Sequence, residues 1–438
     1  IYSFKNQAWG ACLRICIAMT SARLRPSRSS WLVLPVALWS VHLLAGDAFL
    51  WPVGKLGVQS WTPARGDQLS EGGHKGSFAG HLGDRSSKET ARSGRVQSMA
   101  LVRQIGAGVV ALGLLKVLAS RIYNWFETPK RPYDDSSSVG NAYDEWARDG
   151  VLEHYWGEHI HMGSYNPMDT QSGYRKKDPF VLALFRATLG RLKNFKEAKI
   201  DFVHEMIDFS RAKDPKKILD VGCGIGGTSR ILAKRFPDAE VVGITLSPEQ
   251  AQRAGRLAEE AGLKNVRFQV MDALNMEFES NTFDLVWGCE SGEHMPDKKR
   301  YVEEMSRVLK HKGNLVVATW CERDPVPIFT AEERKTLNFL YAEWSHPFFI
   351  SLGKYKEYLD GTGLLEQVET ADWTDQTLPS WRHSVWVGVW SPWYWIKVTL
   401  RKPAAFLGFL REVYTLEKYH KSMVDGLMVY GMMRAIKK

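Results

Sequence analysis

Residues 218–227 read ILDVGCGIGG. An apolar run carries an acid, Asp220, near its end, and Gly222, Gly224 and Gly226 follow at alternate positions with Cys223 between the first two. The pattern predicts a strand, a tight turn and a helix start. Glycine lets backbone N–H groups come close to a ligand, and a helix amino end offers unpaired donors, so this segment suits a nucleotide-like molecule. A second constellation lies in ESGEHMPDK, residues 290–298, where Glu290, Glu293 and His294 gather two carboxyls and an imidazole. Such groups move protons near neutral pH once burial tunes them. His159 and His161, in YWGEHIHMG at 155–163, form a third.

The elements that must position these residues alternate between strand and helix periods. Strands are predicted over 217–221, 240–245, 266–270, 282–287 and 314–320, with helices over 201–209, 228–236, 248–261 and 299–309. Ser247 is the expected N-cap of the third helix, with Pro248 in its first turn. This is a doubly wound α/β sheet, with ligands expected at the carboxyl ends of its strands. Those ends carry Asp220, Thr245, Asp272 and Glu290. A dinucleotide site would place an acid after the second strand, where this chain has Thr245. Asp272, followed by Ala273, suits a hydrogen bond to an adenine amino group. The set therefore favours S-adenosylmethionine over a nicotinamide cofactor, with no metal required.

Charge and composition bound the rest. The net charge of +9 is uneven: residues 1–98 sum to +7, the last 58 to +7, and the centre to −5. An acidic centre argues against a nucleic-acid enzyme, which would carry a basic groove beside its site. Cys12, Cys16, Cys223, Cys289 and Cys321 show no metal spacing and read as free thiols of a reducing compartment. From Met19, a basic stretch and an apolar run to about residue 46 form a secretory-type signal, and a Ser-, Gly- and Arg-rich tract continues over 47–98. The two together resemble the bipartite plastid leaders of algae with secondary plastids. A second apolar run, 105–119, is short for crossing a bilayer and is expected to be a membrane-attached helix within 99–134.

From about residue 139 the chain resembles the tocopherol-pathway methyltransferases of cyanobacteria and plastids, and more widely the sterol C-methyltransferases and cyclopropane-lipid synthases. ILDVGCGIGG, ESNTFDLVW at 279–287 and VLKHKGNLVV at 308–317 are similar to the family's cofactor motifs. GITLSPEQ at 243–250 implies that Thr245, Leu246 and Gln250 help hold the cofactor. NAYDEWARDG at 141–150, EWSHP at 343–347 and ADWTDQTLPSW at 371–381 resemble the members acting on 2-methyl-6-phytylquinol. SGEHMPDK and ATWCERD resemble those acting on γ-tocopherol. The first likeness covers more of the chain.

The resemblance implies a methyl transfer to a ring carbon of a prenylated quinol, in a plastid and at a membrane surface. The core is expected over 135–325 and a Trp-rich substrate cap over 326–438. A ring carbon becomes nucleophilic when its neighbouring hydroxyl loses a proton, so a base is expected: His294 or Glu293, then His159. His294 has the alternative role of anchoring its loop, and Asp220 that of holding the glycine turn. Tyr155, Trp156, His161 and Trp381 are expected against the acceptor. The Trp residues between 381 and 395, followed by Lys397, Arg401 and Lys402, suit either a membrane face or the cap's own core.

Overall fold

A computed structural model describes residues 84–135, 139–140, 150–166, 174–190 and 192–438. The leader up to residue 83 and most of NAYDEWARDG lie outside these residues. The helices are α1 (Asp84–Glu127), α2 (Val151–Trp156), α3 (Phe180–Leu189), α4 (Phe195–Ser210), α5 (Gly227–Arg235), α6 (Pro248–Glu260), α7 (Lys298–Val308), α8 (Ala331–Glu343), α9 (Leu352–Gly361), α10 (Thr374–Trp390), α11 (Trp393–Arg401) and α12 (Ala404–Val424). The strands are β1 (Lys217–Val221), β2 (Glu240–Thr245), β3 (Val266–Val270), β4 (Phe283–Cys289), β5 (Leu309–Glu322), β6 (Leu365–Asp372) and β7 (Met428–Lys437).

The strands form one sheet in the order β3-β2-β1-β4-β5-β7-β6. The first five pair in parallel, and β7 alone runs against its neighbours. Strands β1, β2 and β4 are nearly continuous apolar runs because helices cover both faces of a parallel sheet. The order reverses between β1 and β4, and there the carboxyl ends open a crevice for ligands.

The first three strands match their sequence-based bounds, and the helices differ by a few residues. Strand β5 is longer than expected. It begins at Leu309 because Lys312, at φ +62°, and a register shift opposite 283–285 absorb the HKG turn. Strands β6 and β7 were not expected at all. Strand β7 lies in register with β5 from Asn314↔Ile436 to Glu322↔Met428, so the carboxyl-terminal region completes the sheet. The expected boundary at 325 therefore does not divide two bodies, and 85–438 cluster as one unit.

Helix α1 also exceeds the expected run. Arg103–Glu127, 25 residues, is long and apolar enough to cross a membrane by length and composition. Its carboxyl end is tied to α12: the Arg411 guanidinium donates to the carbonyls of Trp125 and Thr128, and Lys418 pairs with Glu127 at 2.8 Å.

Candidate active site

The glycine turn is shaped by what surrounds it. Gly222 has φ +82°, Gly224 +56° and Gly226 +77°, a region side chains with a Cβ rarely adopt. A Cβ on Gly222 would stand 2.4 Å from that of Ser291, and one on Gly226 would stand 2.5 Å from the Phe268 ring. At Gly224 nothing lies within 4 Å. The N–H groups of Gly222 and Cys223 both donate to the Ile244 carbonyl at 2.9 Å, tying the turn to β2. Asp220 accepts from the Ser229 hydroxyl at 2.6 Å, and burial pushes its carboxyl up to about 7.

A cavity of about 120 Å³ opens against this turn. Asp220, Gly222, Cys223, Gly224, Thr245, Leu246, Gln250, Ala273 and Glu290, nine of the residues expected to hold the cofactor, line it. The Thr245 hydroxyl donates to Gln250 Oε1 at 2.8 Å, leaving the amide N–H groups of Gln250 to other partners. Two expected residues stand elsewhere. Gly226 lies behind the turn, where it admits Phe268. Asp272 is exposed and outside the cavity wall, and its Oδ1 accepts the Leu274 N–H at 2.9 Å. Its neighbours Met271 and Ala273 line the cavity on either side of it.

The 155–163 segment covers the cavity, and buried cations hold it. Lys199 Nζ donates to the His159 carbonyl at 2.6 Å and lies 4.5 Å from the Trp156 ring centroid. Arg230 donates to the Ile225 carbonyl at 2.7 Å and pairs with Glu158, joining turn and cover. A Cβ on Gly227 would meet the Glu158 carbonyl oxygen at 2.3 Å, so the cover sits directly on the helix start. His161 Nδ1 faces the Met162 carbonyl at 2.8 Å, which puts the proton on that nitrogen. Its Nε2 then accepts from His159 Nδ1 at 3.1 Å, leaving the lone pair of His159 on Nε2. Burial holds both rings neutral, with His161 lowered to about 3. Both line the small cavity, so His161 stands on the cofactor side and not on the acceptor wall expected for it.

A second cavity, about 530 Å³, lies under the carboxyl-terminal helices. Trp156, Trp320, Trp344, Trp395, Phe409 and Leu416 give it an aromatic and aliphatic wall, and Tyr155 also lines it. Volumes of this order suit a small-molecule ligand. Trp381 does not belong to that wall. It is fully buried, stacked on Tyr419 at 4.8 Å and 1°, and serves as cap core. Trp386 is equally buried, whereas Trp393 is 77 % exposed, so the Trp cluster divides between core and surface.

Ile160, Glu290 and His294 line both cavities, so the two meet at these residues. Glu290 adopts φ +48° at the end of β4, and such strain collects at functional sites. Its Oε1 accepts from the Met162 N–H and the Tyr430 hydroxyl, both at 2.7 Å. Glu293, on the short 3₁₀ turn Gly292–His294, accepts from the Thr319 hydroxyl at 2.7 Å. Buried Lys298 donates to the carbonyls of Glu293 and Met295 and fixes that turn. Burial raises both carboxyls, and the nearby Glu290 charge raises Glu293 further. The His294 ring stacks on His346 at 4.5 Å, and burial with Lys298 beside it lowers His294 to about 3. His346, Trp320, Trp344 and Tyr430 were not among the expected site residues. His346 stands in EWSHP, the one local signal available for it.

Comparison with known proteins agrees with this geometry. Residues 212–369 match a family model described as a methyltransferase domain. The 2-methyl-6-phytyl-1,4-hydroquinone methyltransferase of Synechocystis sp. is 40% identical over 338 residues, 76% of this chain and 96% of that protein. The chloroplastic tocopherol O-methyltransferase of Arabidopsis thaliana is 38% identical over 253 residues, 56% of this chain and 67% of the relative. Among solved structures, geranyl diphosphate C-methyltransferase from Streptomyces coelicolor, in complex with S-adenosyl-L-homocysteine, covers 71% of this chain and all of its own. Its TM-score is 0.51 at 21% identity, a likeness of fold.

Proposed function

The chain belongs to the S-adenosylmethionine-dependent methyltransferase family of 2-methyl-6-phytyl-1,4-hydroquinone methyltransferase, and on that premise we propose that it methylates a ring carbon of 2-methyl-6-phytylquinol. The observation carrying this reading is the meeting of a narrow slot at the glycine turn with a large aromatic cavity at Glu290 and His294. A small charged donor and a greasy aromatic acceptor need two such compartments sharing one opening.

The open space beside Gly224 and the donors around Thr245 and Gln250 fit the cofactor. Asp220, Gly222, Cys223, Gly224, Thr245, Leu246, Gln250 and Ala273 would hold it. When bound, it supplies an electrophilic methyl on a positively charged sulfur. The protein's task is then orientation, which can lower a barrier by as much as ~7–11 kcal/mol. Glu290 places negative charge at the junction. Glu293, whose carboxyl is brought toward neutrality, is the base for the hydroxyl beside the reacting carbon, since a base works best with a pKa near the working pH. Neutral His294 packs against the acceptor ring and separates it from water, and His159 closes the slot from above.

Tyr155 and Trp156 support the acceptor. The Tyr155 hydroxyl donates to the Ser391 carbonyl at 2.8 Å and so joins the cover to the α10–α11 corner. Helix α11 and the start of α12 expose Trp393, Leu400 and Leu407 beside Lys397, Arg401 and Lys402, a composition suited to an anionic bilayer surface. With Arg103–Glu127 as an anchor, the enzyme would take its insoluble acceptor from the membrane. The leader reading and the chloroplastic plant relatives support a plastid location.

The test is a methyl-transfer assay on purified protein with 2-methyl-6-phytylquinol, γ-tocopherol and a sterol in vesicles. Turnover is expected with the quinol, and Glu293→Gln is expected to lower it about 100-fold or more with cofactor affinity retained. Turnover with the sterol alone would overturn the reading.

A further inference from the structure

His346 follows α8 in the wall of the larger cavity, 2 % exposed and outside the roles assigned so far. Its surroundings settle which nitrogen carries the proton. Nδ1 lies 3.5 Å from the Tyr419 hydroxyl, and that hydroxyl's one hydrogen is given to the Leu340 carbonyl at 2.8 Å. Tyr419 can therefore only accept from Nδ1. The proton sits on Nδ1, and the lone pair sits on Nε2. Nε2 is buried and has no hydrogen-bond partner among the described residues. A buried acceptor without a donor is costly and rare in a folded protein, so this one points to a ligand hydrogen. The His294 ring lies between it and the cofactor slot, stacked at 4.5 Å, and Trp320 and Phe349 flank it at 5.4 and 5.0 Å.

We infer that His346 selects acceptors carrying a second free hydroxyl, and so a 1,4-quinol over a chromanol; the inference rests on the acceptor class proposed above. A para-diol offers two O–H groups on opposite sides of one ring. The hydroxyl beside the reacting carbon meets Glu293 at the junction, and the other donates to His346 Nε2. In a chromanol the second oxygen is a ring ether with no hydrogen. Against Nε2 it would set two lone pairs face to face and leave the imidazole unsatisfied. A site built to bond a hydroxyl rejects the analogue that lacks it far more strongly than an apolar pocket rejects a change of size.

The experiment compares kcat/KM for 2-methyl-6-phytylquinol and γ-tocopherol in the wild type, His346→Phe and His346→Gln, with S-adenosylhomocysteine affinity measured alongside. The wild type is expected to favour the quinol by at least about 10-fold. His346→Phe should cut that preference by about 10-fold or more, through loss of quinol turnover only. His346→Gln, which keeps an acceptor oxygen near the Nε2 position, should recover part of it. Cofactor affinity should stay within about twofold in both variants. A preference unchanged in both variants would overturn the inference while leaving the methyl-transfer reading intact. A wild type that favours γ-tocopherol would do the same, and one that methylates neither acceptor removes both. Should both variants lose cofactor binding, the wild type decides: the quinol etherified at the second hydroxyl must react at least about 10-fold more slowly than the quinol itself. Equal rates would contradict the role.

Discussion

The cofactor slot and the acceptor cavity share three residues yet are built by different means. The slot is framed by local backbone: a left-handed glycine turn, two N–H groups on one carbonyl, and a helix start pressed against the carbonyl oxygen of Glu158 in the covering segment. The acceptor cavity is built from side chains that converge from distant parts of the chain. Trp156, Trp320, Trp344 and Phe409 belong to four separate segments. Buried ion pairs such as Arg411–Glu343 and Arg382–Glu417 hold the helices behind them. A backbone site fixes one ligand shape and tolerates little change, whereas a side-chain cavity can vary its occupant without disturbing the sheet. On the proposed function, this separates what holds the donor from what chooses the acceptor.

The contrast breaks most readily at Glu343, which is fully buried and bonded to Arg411 through both carboxylate oxygens at 2.6 Å. Glu343→Ala strands a buried guanidinium, and a loss of about 3–5 kcal/mol of stability is expected in denaturant unfolding. Cofactor affinity in the fraction that stays folded should change little. Next comes Gly222→Ala, where left-handed φ and the 2.4 Å approach to Ser291 act together. It should weaken S-adenosylhomocysteine binding by ~2–4 kcal/mol in calorimetry, with the cap still cooperative in melting. Normal binding would mean that the turn does not shape the slot.

The pH dependence of stability sharpens the same comparison. Burial raises Asp220 from 3.8 to about 7, so between those values the folded state keeps a proton that the unfolded state has released. Stability then falls as pH rises through the window, by at most about 4 kcal/mol from this group, and is lowest above pH 7. Asp220→Asn should remove that slope, measured as the difference between wild type and variant from pH 4 to 8. An identical slope in both would show that Asp220 does not titrate there. The smallest effect belongs to Asp272→Ala. Its carboxylate is exposed and accepts a local N–H, so cofactor affinity should shift by less than about 0.5 kcal/mol in calorimetry.

The legibility of the sequence follows the same division. Strands β1 to β3, the glycine turn and the 290–294 cluster were readable because each is a local pattern whose chemistry is set within a few residues. At Asp272 the sequence pointed to the place after β3, and there the carboxylate is exposed between two residues of the cavity wall. Trp381 was misread because a run of tryptophans does not reveal which faces turn inward. Strand β7 escaped because its run of Met, Val, Tyr and Ile is as compatible with a buried helix as with a strand. Only pairing with β5, more than a hundred residues earlier, decides it. His346 escaped for a related reason, since its significance lies in Tyr419, Leu340 and a cavity formed by other segments. The notion of a short membrane run failed because helix α1 continues past Ala119 to Glu127.

The most direct test is a crystal structure of the protein with S-adenosylhomocysteine and 2-methyl-6-phytylquinol bound together. The thioether sulfur should lie at the glycine turn and the quinol ring beyond Glu290 and His294, one hydroxyl at Glu293 and its tail under α11 and α12. A quinol ring bound outside the larger cavity, or a cofactor seated away from the turn, would contradict the claim that the two compartments meet where the methyl group crosses.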